Sequence, residues 1–212
     1  MIEQLGVGFL PYHVIAKRAD DFLRQYNPLN DIPVPIEEIA EFSPNLEIIP
    51  IPNLQKNFEV EGFISSDLKC IYIDQFSLSE RPTRYRFTLA HEIGHIFLHR
   101  QIFQKVNVSS LESWKRFMEE VDEREYNRME FQGYAFGGFA LVPSNELENG
   151  VRRNLKELTP YINACKETEI VRDDYVSYAV DLLASLIAPT FDVSTEVVER
   201  RIRYEKLERL IP

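Results

Sequence analysis

Histidines are clustered in this chain: three of its four lie within nine positions, as His91, His95 and His99. His91 and His95 are four residues apart, so on a helix both imidazoles leave the same face, one turn apart. Two imidazole nitrogens at that spacing can bind one zinc ion. Glu92 follows His91, and in an HExxH pattern its carboxylate lies beside the metal and can take a proton from zinc-bound water. The spacing therefore predicts a zinc peptidase site with Glu92 as general base.

An HExxH match specifies only three positions, so the alternative is an amphipathic helix that happens to carry two histidines on its polar face. The segment has a separate apolar face that can anchor it in a core, formed by Leu89, Ile93, Ile96 and Phe97. Gly94 leaves the backbone bare beside the histidines, which costs helix stability and predicts close approach by another segment. These features favour the metal site.

A catalytic zinc site usually has three protein ligands and an open position. His99 lies one further turn along the helix, too far to share the ion. We expect it to contact a ligand from outside, or to serve as a partly cationic residue at the helix end. The third ligand should therefore be a carboxylate. The downstream candidates are Glu119, Glu120, Asp122, Glu123, Glu125 and Glu130.

Glu130 differs from the other acids because apolar residues and glycines follow it. Gly133 and Gly137 are four residues apart and would let this helix pack tightly against another, such as the metal-bearing helix. An acid on the packed side of a helix is costly unless it is paired or metal-bound. Spacing alone leaves Glu130 and the other acids as alternatives.

Two segments carry a family resemblance: RFTLAHEIGHIFLH at 86–99 and EFQGYAFGGFALVP at 130–143. They resemble the two motif blocks of the ImmA/IrrE family of metallopeptidases, which read roughly RFTLAHELGHLLLH and ExxANxFAxxLLMP. The resemblance implies that Glu130 is the third zinc ligand. The chain departs from the second block at Gly133 and Gly137, where the family has alanine, and at Tyr134, where it has asparagine.

The resemblance extends more weakly to EGFISSDLKCIYID at 61–74 and to FDVSTEVVERRI at 191–202. Characterised members of the family cleave a helix-turn-helix repressor and so release transcription of mobile-element or stress-response genes. The resemblance implies such a repressor as substrate and partner. Many relatives also carry a repressor or sensor domain that does not fit in this length, so we expect a stand-alone peptidase unit.

Composition and charge limit the other functions. Hydrophobic residues make up 44% and charged residues 27% of the 212 residues, as in ordinary globular proteins. The net charge of −10 argues against direct nucleic-acid binding. The two cysteines are 95 positions apart, which favours a reducing compartment. No secretory pattern opens the chain and no window approaches the ~20 apolar residues of a membrane helix. We expect a cytoplasmic protein with no membrane contact.

The elements that must position the site follow from periodicity. Before the histidines we predict helices at 11–26 and Ile36–Phe42, a loop at 27–36, and strands at 46–51, 60–65 and 69–74, the last two forming a hairpin. Ser79 would cap the helix at 81–99. After it we predict a helix at 111–141 broken near Asp122, then helices at 145–155, 159–168, 173–188 and 195–209, the last capped by Ser194.

This order predicts an α+β fold, with a small antiparallel sheet packed on a zincin-type HExxH helix and a helical C-terminal region. We assign residues 1–150 to a zincin-like metallopeptidase core and residues 151–212 to a helical extension packed on it.

Substrate-binding groups are also predicted. An exposed strand of the hairpin could pair with an extended substrate, with Gly62 leaving room, although a bulge or turn explains this glycine equally well. Tyr126 and Tyr134, one turn on either side of Glu130, are candidates for stabilising the oxyanion, or they simply pack. Two other functions compete: a non-cleaving repressor-binding protein with a metallopeptidase fold, and a DNA-binding helix-turn-helix at 173–209.

Overall fold

The computed structural model describes residues 5–42 and 46–212. The chain divides into two compact units, Met1–Leu141 and Val142–Pro212. The first unit combines helices with a three-stranded sheet, and the described elements of the second are all helical. The predicted α+β class is therefore confirmed.

The first unit contains the clustered histidines and the candidate acidic ligands. Its helices and strands follow in chain order as α1 (Tyr12–Tyr26), α2 (Ile36–Phe42), β1 (Glu47–Ile51), α3 (Leu54–Phe58), β2 (Gly62–Ile64), β3 (Cys70–Asp74), α4 (Gln75–Glu80), α5 (Pro82–Phe103), α6 (Leu111–Glu120) and α7 (Glu123–Leu141).

The sheet has the strand order β1-β3-β2. The predicted hairpin is confirmed, because β2 pairs antiparallel with β3 and Gly62 lies opposite Ile73. The expectation of a wholly antiparallel sheet is wrong, since β1 runs parallel to β3. Periodicity shows that a segment is a strand but not which neighbour it pairs with or in which direction, because that pairing is non-local. The order leaves β2 at one edge of the sheet, but its three residues, Gly62–Ile64, are buried and not exposed as the sequence predicts.

The histidine helix begins at Pro82, within one residue of the predicted start, but its N-cap differs from the prediction. Ser79 is not an N-cap, because it lies inside α4, whose start is capped by Asp74 accepting a hydrogen bond from the Ser77 amide at 3.0 Å. The helices are divided at Arg81, which has non-helical angles (φ −134°, ψ 67°). The residue before a proline is pushed out of the α region, and Pro82 then occupies the first turn of α5.

Helix α5 is longer than predicted and is bent at its third histidine. It continues to Phe103, with non-helical angles at His99 (φ −123°, ψ 15°). Leu89, Ile93 and Ile96 are buried as the apolar pattern predicts. The break in the following acidic segment is also confirmed, since α6 ends at Glu120 and α7 begins at Glu123.

An aromatic cluster of Phe22, Phe97 and Phe136 joins α1, α5 and α7. The Phe22 ring lies 5.1 Å from Phe97 and 5.6 Å from Phe136 between centroids. Phe136 is fully buried and fills the space beside Gly94, where an added Cβ would lie 3.0 Å from its Cδ1. Gly94 therefore has the close neighbour that its position in the sequence predicts.

The second unit consists of α8 (Ser144–Glu167), α9 (Arg172–Phe191), α10 (Thr195–Tyr204) and a 3-10 helix (Leu207–Leu210). The two helices predicted at 145–155 and 159–168 form one continuous helix, α8, with Pro160 inside it. An internal proline costs about 3 kcal/mol, yet Leu158 and Ile162 on either side of it are both buried. Burial of this apolar stripe keeps the helix continuous.

The last helix of the second unit ends earlier than predicted, at Tyr204. Ser194 occupies the position before its first turn but makes no side-chain capping hydrogen bond. Arg201 is buried and donates to the carbonyl of Val142 at 3.0 Å and to Ser144 Oγ at 3.1 Å, which ties α10 to the start of α8.

Among the described residues, no single helix combines the length and apolar composition needed to cross a membrane, although α9 and α10 taken together, bent by 115°, meet both conditions.

Replacing Phe136 by alanine should lower the free energy of unfolding by about 3–5 kcal/mol, because it empties the space between three packed elements. Phe131→Ala on the same helix is the matched control, since Phe131 is 42% exposed. We expect it to cost about 0.5 kcal/mol or less. Urea unfolding followed by circular dichroism measures both values, and equal losses would contradict the assigned core.

Candidate metal centre

His91, His95 and Glu130 form a cluster that could hold a metal ion. His91 Nε2 lies 2.9 Å from His95 Nε2, and each of these atoms lies 3.3 Å from one Glu130 oxygen. Both imidazoles are buried, with 6% and 3% of their surface exposed, while the Glu130 side chain is 25% exposed. The three ligand atoms therefore face one point that can be reached from solvent on the Glu130 side.

The donor set and its spacing fit a zinc ion. Ligands at about 2.0–2.1 Å around tetrahedral zinc stand roughly 3.3 Å apart. The two nitrogen–oxygen separations match this value, and the nitrogen–nitrogen separation needs only a slight opening of the rings. Two histidines and one glutamate also form an established ligand set for catalytic zinc.

Two glycines let α7 approach the histidine helix closely enough for Glu130 to reach both rings. A Cβ added at Gly133 would lie 2.8 Å from His91 Cε1 and 3.0 Å from His95 Nε2. A Cβ at Gly137 would lie 3.2 Å from the backbone nitrogen of His91. The expectation that the glycine stripe packs on the metal-bearing helix is confirmed.

Burial and charge act on these groups in opposite directions. Burial lowers the pKa of His91, but the Glu130 carboxylate, with Glu92 and Glu61, raises it more, so the net pKa lies above its ordinary value of 6.5. Burial raises the pKa of Glu130, but His91 and His95 hold it well below 4.5. Glu130 is therefore ionised at neutral pH and attracts a cation.

Glu92 lies next to the cluster without joining it. Its Oε1 is 4.0 Å from His91 Nε2, and it makes no hydrogen bond within the described parts of the chain. Burial, and to a smaller extent Glu130, raises its pKa above the ordinary 4.5, although His91 and His95 act in the opposite direction. A buried carboxylate with an uncommitted oxygen beside the cluster is suited to accept a proton from water.

His99 lies behind His95 and away from the ligand atoms. Its Nδ1 is 3.0 Å from His95 Nδ1, and its Nε2 is 2.8 Å from Gln132 Oε1. Burial lowers the pKa of His99 to about 3, so the alternative of a partly cationic residue at a helix end is wrong. Sequence reasoning missed Gln132, although it is the one amide in the otherwise apolar and glycine-rich segment 131–141.

The two tyrosines lie at different depths. The Tyr134 ring lies 4.5 Å from the His91 ring between centroids, stacks on Phe87 and is 51% exposed. Tyr126 is partly buried, and burial, together with the charges of Glu130 and Glu92, raises its pKa.

Gly62, at the start of the edge strand β2, lies against the metal-bearing helix. An added Cβ would meet Thr88 Cγ2 at 2.9 Å, the carbonyl of Tyr72 at 3.0 Å and Glu92 Oε1 at 3.4 Å. Close approach, and not a turn, therefore excludes a side chain here. The neighbouring Glu61 forms an ion pair with Arg84 of α5. Sequence reasoning also missed this glutamate.

Comparisons with known proteins identify the family of this chain. A family model described as the IrrE N-terminal-like domain, a peptidase family, matches residues 54–203. A Mycobacterium tuberculosis transcriptional regulator has a similar structure, with a TM-score of 0.49, 13% identity, and coverage of 90% of this chain and 46% of that protein. This chain thus spans less than half of that regulator's length. No curated protein matches the chain.

Removing the third ligand should weaken metal binding. We expect Glu130→Ala to lower zinc affinity by about 100-fold or more, because two imidazoles alone leave the ion without its anionic ligand. Glu119→Ala, which removes one of the alternative acids, should leave affinity unchanged. Competition with a chromophoric chelator measures both. Loss of affinity on removal of Glu119 instead would contradict the assignment.

Zinc affinity should fall as pH falls, and the fall should begin above pH 6.5, because the raised pKa of His91 lets a proton compete with the metal there. Glu130 stays ionised over this range, so at least the His91 proton is released for each ion bound, and affinity drops at least about tenfold per pH unit below the His91 pKa. Calorimetry in buffers of different ionisation enthalpy counts that proton. Affinity that stays constant from about pH 8 to 6 would contradict the prediction.

Proposed function

The chain belongs to the peptidase family of the IrrE N-terminal-like domain, in agreement with its ImmA/IrrE resemblance, and we propose that it is a zinc-dependent endopeptidase. The observation that carries the proposal is the convergence of His91, His95 and Glu130 on one point, with the uncommitted Glu92 carboxylate beside it.

Zinc is the metal that this donor set favours. Two imidazole nitrogens and one carboxylate suit zinc better than calcium or magnesium, which take oxygen ligands. When bound, zinc supplies a Lewis acid that polarises a carbonyl and lowers the pKa of water. The protein holds the ion by His91, His95 and Glu130.

Glu92 acts as the general base and then as the general acid. Its raised pKa places it closer to neutrality, where a carboxylate both accepts and returns a proton effectively. Its Oε1 accepts the proton of the attacking water and later delivers it to the amine of the leaving peptide. Gly62 leaves room beside this carboxylate, and Oε1 lies 4.0 Å from His91 Nε2.

The substrate binds in an extended conformation along the free edge of β2. That edge begins at Gly62, which borders Glu92, so backbone pairing places a peptide bond beside the general base. A substituent at Gly62 would push into Thr88 or displace Glu92, so close backbone approach is available only to glycine there.

Tyr134 and Tyr126 are the candidates for donating a hydrogen bond to the oxyanion. Tyr134 has the more favourable position, since its ring lies against that of His91 and half of its surface is exposed to solvent. Tyr126 lies one helical turn before Glu130. Burial and the charges of Glu130 and Glu92 raise its pKa.

The proposed substrate is a helix-turn-helix repressor, as the family resemblance implies, so that cleavage would release transcription of mobile-element or stress-response genes. We place the reaction in the cytoplasm, where reducing conditions keep Cys70 and Cys165 as the free thiols found in the structure. The chain's net charge of −10 disfavours DNA as a direct ligand.

Glu92→Gln should retain zinc but slow cleavage by about 10²–10⁴-fold, because the amide keeps the shape of the side chain and cannot take up the proton. The matched control is Glu80→Gln, at an exposed position of α4, which should cleave at the wild-type rate. Purified protein loaded with zinc is incubated with a panel of purified helix-turn-helix repressors, and mass spectrometry identifies new fragments. Wild-type rates in Glu92→Gln would refute the general base.

The same incubation separates the enzyme from a non-cleaving repressor-binding protein. Fragments from one repressor, absent with zinc-free protein, are expected from the peptidase. A repressor that binds tightly and stays intact with zinc present would instead support the binding function.

A further inference from the structure

A line of hydrogen bonds leads from the metal centre through α7 to the N-terminal segment, residues 5–8. It joins His95 Nδ1 to His99 Nδ1 at 3.0 Å, His99 Nε2 to Gln132 Oε1 at 2.8 Å, and Gln132 Nε2 to the carbonyl oxygen of Gly8 at 2.8 Å. The three side chains are 3%, 2% and 1% exposed. Water is therefore largely kept from the two bonds of His99, while the bond to Gly8 is only partly buried.

The hydrogen bond between Gln132 and Gly8 can be donated in only one direction. A carbonyl oxygen accepts and cannot donate, so the Gln132 group facing Gly8 must be its NH2. The amide oxygen then faces His99 and can only accept, so His99 must donate from Nε2. A neutral imidazole carries one N–H, and burial favours the neutral form. His99 Nδ1 is then an acceptor, and His95 Nδ1 must be the donor.

We propose that Gln132 is a positioning residue that sets the tautomer of His95. With its single proton on Nδ1, His95 presents the lone pair of Nε2 towards His91 and Glu130. The inference rests on the proposed role of His95 as a metal ligand, since a ligand needs that lone pair free. Partners behind a metal-binding histidine commonly orient its ring and tune its affinity.

The Gly8 carbonyl is a fixed reference because the N-terminal segment is clamped along α7. The Glu125 carboxylate accepts hydrogen bonds from the amides of residues 5–7 at 2.7, 2.8 and 3.1 Å. Lys105 donates to the carbonyl of the first of these residues at 2.9 Å, and Arg128 donates to that of the third at 2.6 Å. The segment thus holds the end of the line in place.

The two histidines of the cluster, His91 and His95, differ in what contacts their Nδ1 atoms. His91 Nδ1 is buried and has no hydrogen-bond partner in the described part of the chain. The neighbours of His91 lie at its Nε2, which is 2.9 Å from His95 Nε2 and 3.3 Å from a Glu130 oxygen, whereas the Nδ1 proton of His95 is set through two further side chains. The preset ring is thus the one that Gln132 controls.

The test is nitrogen NMR of metal-free protein labelled with ¹⁵N-histidine, which distinguishes a protonated from an unprotonated ring nitrogen. Wild-type protein should show the proton on Nδ1 of His95 and on Nε2 of His99. The opposite tautomer of His95, or a doubly protonated His99, would overturn the proposal. Because no metal is present, this result stands apart from zinc binding: failure of wild-type protein to bind zinc would sink the proposed function and leave the tautomer assignment intact.

Variants separate positioning from simple support of the N-terminal segment. Gln132→Met keeps the size of the side chain but removes the acceptor, so His99 should move its proton to Nδ1 and His95 to Nε2. Zinc affinity should then fall by about 10–100-fold. Arg128→Met loosens the same segment without touching the histidines and should keep wild-type tautomers and affinity. Equal effects of both variants, or wild-type tautomers in Gln132→Met, would overturn the role. If Gln132→Met does not fold, the wild-type spectrum alone decides.

Discussion

The close contact of α7 with α5 at Gly133 and Gly137 brings Glu130 to the two histidines and so forms the candidate metal centre. With any side chain at Gly133, the two helices could not approach so closely, because the Cβ would collide with His91 and crowd His95. A glycine inside a helix costs about 1 kcal/mol relative to alanine. The contact offsets this cost by burying the faces of both helices, and only at this separation does the Glu130 carboxylate reach the two imidazoles.

The same buried environment gives two glutamates opposite properties. Glu130 faces both histidine rings, so attraction outweighs burial and its pKa falls. Glu92 is buried with no hydrogen bond in the described part of the chain, so burial dominates and its pKa rises. Environments that separate the pKa values of two like groups assign them different roles. Here one carboxylate is suited to holding a cation and the other to moving a proton.

The sheet contributes a strand edge, and the helices carry the histidines and glutamates of the candidate metal centre. Because β3 lies between β1 and β2, the strand nearest Glu92 keeps one side unpaired. An unpaired edge is a hazard for aggregation, and here it is short, from Gly62 to Ile64. The proposed function uses this edge, which begins beside the buried Glu92, to bind a substrate in an extended form.

The fold class, the family and the features that depend on neighbours along one helix could be predicted from the amino-acid sequence. Histidines at i and i+4 share a face in any helix, so His91 and His95 were predictable, as were the break near Asp122 and the hairpin. Spacing left Glu130 among six acids, and only the resemblance singled it out. The pairing of β1, the continuity of α8 and the N-cap of α5 were predicted wrongly, because packing or a proline overrode the local signal.

The contacts that surround His91, His95 and Glu130 could not be predicted from the sequence, because they form between segments that only folding brings together. The line from His95 to Gly8 joins residues up to 124 positions apart, and its direction depends on which atoms meet. Glu61 reaches Arg84 of α5 because it lies beside β2, which pairs with β3 in the hairpin. Such contacts arise from folding and not from periodicity, since a hydrogen bond is made between atoms within about 3 Å, whatever their separation in sequence.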